Sequence, residues 1–89
     1  MIPSKPLKTP MVIIAHRLPG NHLEGVFLDL KLWFKNIVVV GSENSNFFHI
    51  IKEKEGAWVS SDSNHTGELW EKGMKTYQSD WYILVQDTE

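Results

Sequence analysis

Four short apolar runs alternate with amphipathic segments along this chain, and that alternation carries most of its structural information. Met11–Ala15 is uninterruptedly apolar, as is 37–40; 57–61 is a weaker run, and 81–85 is an aromatic and aliphatic run that leads into a polar tip. Continuous apolar runs of this length predict strands covered on both faces. Residues 16–21, with Leu18, Pro19 and Gly20 inside them, read as a turn. Residues 22–36 fit two patterns. As a strand, Val26, Leu28, Leu30, Leu32 and Phe34 alternate with mostly polar partners. As a helix, Leu23, Val26, Phe27, Leu30, Trp33, Phe34 and Ile37 make one stripe, leaving Leu28 and Leu32 on the polar side. The capping-box spacing of Asn21 and Glu24, and a length ordinary for a helix, favour the helix. A hairpin over 22–40 would instead make the domain an all-β binding barrel.

The remaining segments complete a pattern. Residues 41–46 form a polar loop in which Asn46 is placed to cap a short helix over 47–55, with Gly56 at its C-cap. Thr66 is placed to cap a helix reaching to about Tyr77, weakened at Gly73. The expected order is β-α-β-α-β-α-β, which calls for a parallel sheet with right-handed crossovers. Residues 1–10, with Pro3, Pro6 and Pro10, read as an extended arm, and 11–89 as a single α/β domain.

Composition narrows the function classes. The 89 residues bury roughly 60–65% of their unfolded surface. The apolar share of 42% fits a folded globule rather than a disordered tail. A net charge of −2 gives no electrostatic footprint for nucleic acid or anionic membrane. No apolar run approaches the ~18–20 residues of a membrane span. The chain has no cysteine and no signal-peptide pattern, which together suggest a cytoplasmic protein. His49 and His65 have no metal-ligand spacing with each other or with His22.

The ordered set Val12-Ile13-Ile14-Ala15, Ile37-Val38-Val39-Val40-Gly41-Ser42, Gly56-Ala57 and Asp80-Trp81-Tyr82-Ile83-Leu84-Val85 resembles the nucleotide-binding half of a family 2 glycosyltransferase, most of all the lipopolysaccharide-core glucosyltransferase branch. The resemblance spans roughly 11–89. It implies a small three-layer α/β domain with a mostly parallel four-stranded sheet ordered 3-2-1-4, similar to a truncated nucleotide-diphospho-sugar transferase fold. It also implies a crevice at the strands' carboxyl ends. His16, Gly41, Ser42, Asn44, Asn46 and Gln86 are the expected ligand-binding residues, with Asp87 and Glu89 as candidate ligands for Mn²⁺ or Mg²⁺.

Departures from the family pattern bear on activity. Gly41 stands where the family has an Asp for the donor's uridine, and Asn46 where the same loop has a later Asp. Gln86-Asp87-Thr88 replaces the metal-binding Asp-x-Asp, leaving Glu89 on a matching acidic position. A divalent ion bridging two phosphates needs hard, charged oxygen ligands, which Gln86 and Thr88 lack. The chain also ends where the family's acceptor half and catalytic base would begin. The resemblance therefore implies a truncated relative without transferase activity that retains weak nucleotide-sugar binding. The alternative is a homo-oligomeric interaction module with a vestigial crevice. An uncovered fourth strand favours a homodimer or higher oligomer.

Overall fold

The computed structural model describes residues 10–17 and 22–86. Seven elements follow one another: β1 (Met11–Ala15), α1 (Leu23–Lys31), β2 (Asn36–Gly41), α2 (Phe47–Glu53), β3 (Ala57–Ser60), α3 (Thr66–Thr76) and β4 (Tyr82–Gln86). The strands form one sheet in the order β3-β2-β1-β4, every neighbour pair parallel. This is the expected α/β architecture and strand order. The proline-rich stretch 1–9, the turn at 18–21 with Asn21 of the capping box, and the acidic tip with Asp87 and Glu89 lie outside the described residues.

The two central strands are apolar on both faces because both faces are covered. Val12, Ile14, Ile37 and Val39 pack against Leu23 and Phe27 of α1 and Ile51 of α2. Ile13, Ala15, Val38, Val40 and Val59 pack under Leu69 of α3. Each fully buried Ile, Leu or Phe here contributes about 1.5–3 kcal/mol, so the two layers carry the fold.

Residues 22–36 resolve as the helix and a short turn. Leu23 and Phe27, one helical turn apart, are buried, whereas Leu28 and Leu32 are 41% and 78% exposed. A half-buried strand would have put Leu28, Leu30 and Leu32 on one covered face. The all-β alternative is therefore excluded.

Several end signals act differently from their reading in the sequence. Asn46 occupies the N-cap position of α2 without a side-chain cap bond; the Ser45 hydroxyl instead accepts the Phe47 N–H at 3.1 Å. The residue before α3 is His65, and Thr66 is the first helical residue. At the end of α2 the left-handed backbone belongs to Glu55, with φ of 62°, rather than to Gly56. Gly56 is needed for space, since a Cβ there would stand 2.5 Å from Ile51 Cγ2 and 2.9 Å from Phe27 Cζ.

Candidate functional site

All four strands are parallel, so their carboxyl ends emerge together, and each delivers polar residues to the same end of the sheet. β1 delivers His16 and Arg17, β2 the loop from Ser42 to Asn46, β3 the loop 61–64, and β4 Gln86.

His16 forms the back wall. It is 2% exposed, and its Nε2 lies 2.6 Å from the hydroxyl of Ser45, itself 4% exposed. The imidazole meets Phe47 and Trp58 edge-on, at ring-centre distances of 5.7 and 5.8 Å. Gly41 lies so close to it that an added Cβ would stand 2.8 Å from the His16 carbonyl oxygen. The Gly41 carbonyl accepts both the Trp58 indole N–H at 3.1 Å and the Ser61 N–H at 2.9 Å. A His–Ser pair at hydrogen-bond distance has the geometry of an activated nucleophile. Here the hydroxyl is closed off from any substrate and receives the Phe47 N–H. The pair joins β1 to the head of α2, and its role is structural.

In front of this wall, His16, Arg17, Ser42 and residues 61–64 line a cleft of about 210 Å³. A second cleft of about 440 Å³ adjoins it, lined by Ser42, Glu43, Asn44, Ser60, Ser61, Asp62 and Lys72. Ser42, Ser61 and Asp62 belong to both, so the two form one polar trough across the ends of β1, β2 and β3. Its loops are held by local bonds. Ser42 Oγ accepts the Asn44 N–H at 3.1 Å, and Ser61 Oγ the Ser63 N–H at 3.3 Å. Ser63 Oγ accepts the His65 N–H at 3.1 Å and donates to Glu68 at 2.6 Å. Lys72 donates to the Ser60 carbonyl, and the Ser60 hydroxyl donates to Glu43. At the other end, Arg17 Nη1 donates to Thr66 Oγ1 at 3.3 Å, and Thr66 donates to Gln86 Oε1 at 3.2 Å. That chain ties the ends of β1 and β4 to the start of α3.

Of the residues expected from sequence, His16 and Ser42 line the first cleft and Ser42 and Asn44 the second. Gly41 is buried behind them, and Asn46 sits exposed at the head of α2. Gln86 meets the site through Thr66 rather than through the trough. Arg17, Ser61, Asp62, Ser63, Asn64 and Lys72 were missed. For residues 61–64 the signal was the polar run directly after the third strand, to which the rule about carboxyl ends applies as well as to the first and second. Among the described residues no three His, Asp or Glu side chains converge as a metal-ligating group. The trough offers two carboxylates, Glu43 and Asp62, and Glu43 is engaged by Ser60. This set does not fit a resident divalent ion. No helix among the described residues is long and apolar enough to cross a membrane.

Comparison of the chain with protein-family models, curated proteins and solved structures gives no match.

Proposed function

We propose that this chain is a nucleotide-sugar-binding domain of glycosyltransferase-like design that does not itself transfer sugar. The observation that carries the reading is the polar trough at the carboxyl ends of β1, β2 and β3, with Arg17 at one end and serine and asparagine side chains along it. Arg17 Nη1 donates to Thr66, and the guanidinium's other N–H donors suit the oxygens of a diphosphate. Ser42, Ser61 and Asn64 offer the neutral donors and acceptors that suit ribose and hexose hydroxyls.

Transfer would require a base within reach of the acceptor hydroxyl. The imidazole at the trough, His16, is closed in by Ser45, Phe47 and Trp58. The positions of the Asp-x-Asp motif carry Gln86-Asp87-Thr88. Both points favour binding without turnover.

Trp58 is the natural reporter, because its indole bonds Gly41 directly behind the cleft. Titration with UDP-glucose, with and without Mn²⁺, is expected to give a saturable change in Trp58 fluorescence in the millimolar range, with no release of UDP. Arg17→Ala is expected to weaken binding by roughly tenfold. A flat titration in both arms removes the binding reading, and UDP release dependent on an acceptor removes the non-catalytic one.

A further inference from the structure

We infer that the open edge of β4 pairs antiparallel with the same edge of a second copy of this chain, about a two-fold axis beside Leu84. The argument begins with one hydrogen bond, from the Met11 N–H to the Trp81 carbonyl at 3.0 Å. With Met11 beside Tyr82 and Ile13 beside Leu84, it fixes which main-chain groups face which way. Met11, Ile13 and Ala15 turn their N–H and C=O toward β4. His16, of the other parity, donates to Val40 of β2. On β4, the groups that meet β1 belong to Ile83 and Val85, together with the Trp81 carbonyl. The N–H and C=O groups of Tyr82, Leu84 and Gln86 therefore point to the open edge, where β4 has no neighbouring strand among the described residues. The indole of Trp70 donates to the Val85 carbonyl at 2.9 Å, on the side of β1 rather than of that edge.

This edge is complementary to itself. Its outward positions are symmetric about Leu84, so an antiparallel two-fold places Leu84 opposite Leu84 and Tyr82 opposite Gln86, and every outward N–H meets an outward C=O. On the face of α1, Ile83 then lies opposite Val85 of the other copy, an apolar pair in each direction. Residues 82–86 hold no charge, no proline and no glycine, so the axis brings no like charges together. Leu84 and Trp81 are 41% and 68% exposed. The opposite edge of the sheet is blunted: β3 has four residues, and Lys72 and Glu43 both bind its terminal Ser60. Apolar pairs of Ile83 with Val85 and of Leu84 with itself, with no charge on either side, suit this edge to a second copy of the chain.

Sedimentation equilibrium of the 89-residue chain is expected to give a mass approaching twice its 10.3 kDa as concentration rises. Leu84→Lys sets two cations across the axis and is expected to weaken the dimer by roughly tenfold or more. Leu84→Pro removes an N–H that β1 does not use, with the same expected result and an unchanged circular dichroism spectrum. In the unmodified chain, the Leu84 and Gln86 amides should gain exchange protection with concentration, while those of Ile83 and Val85 stay protected throughout. A monomer at every concentration overturns the inference, as does association that leaves the exchange of Leu84 and Gln86 unaltered.

Discussion

Gly73 and Gly25 both sit inside helices, yet the same substitution should move stability in opposite directions. At Gly73 a Cβ would stand 2.7 Å from Ile13 Cγ2 and 2.9 Å from Val40 Cγ2. The gain in helix propensity is about 1 kcal/mol, against about 1–3 kcal/mol for overpacking a closed core. Gly73→Ala is therefore expected to lower the urea midpoint. At Gly25 nothing lies within 4 Å of the added Cβ, and Gly25→Ala is expected to raise stability by about 0.5–1 kcal/mol. The same logic separates Glu55 from Gly56. Glu55→Gly relieves a left-handed glutamate and should stabilise by about 0.5–1 kcal/mol. Gly56→Ala forces a methyl onto Ile51 and Phe27 and should destabilise. Ser45→Ala removes the buried bond to His16 and the hydroxyl that accepts the Phe47 N–H, for an expected loss of about 1–3 kcal/mol in urea unfolding.

At the scale of elements, what could be read in advance was what hydrophobic pattern determines. β1 and β2 are apolar at nearly every position because a parallel sheet buries both faces, so their place at the centre follows from composition alone. α1 was ambiguous because its outward side carries Leu28 and Leu32, which mimic a strand's alternation. Only packing separates the two patterns, and it predicts contrasting mutants. Phe27→Ala should cost about 3–5 kcal/mol, whereas Leu32→Glu should change stability by less than about 0.5 kcal/mol. Helix ends were less legible. A cap depends on one backbone dihedral and one side-chain rotamer, so Ser45 could take the part expected of Asn46, and Glu55 that expected of Gly56. The site was legible in part for a related reason. His16 and Ser42 follow obvious strands, while residues 61–64 follow a strand of only four residues whose end the pattern marks weakly. Arg17 becomes a candidate only once the fold brings Thr66 against it, 49 positions along the chain.

At the scale of the whole molecule, the two proposals rest on two surfaces: the polar trough at one end of the sheet and the uncharged edge along β4. They differ in chemistry. The trough is lined by hydroxyl, amide and charged side chains, and the edge carries unpaired strand groups among the described residues. Amide shifts followed while UDP-glucose is titrated into the chain test the central claim most directly. The account predicts saturable shifts centred on Arg17, Ser42 and residues 61–64, with the β4 edge amides of Leu84 and Gln86 little moved. No shifts at millimolar ligand, or shifts centred on the amino ends of the strands around Trp33 and Trp81, would contradict it.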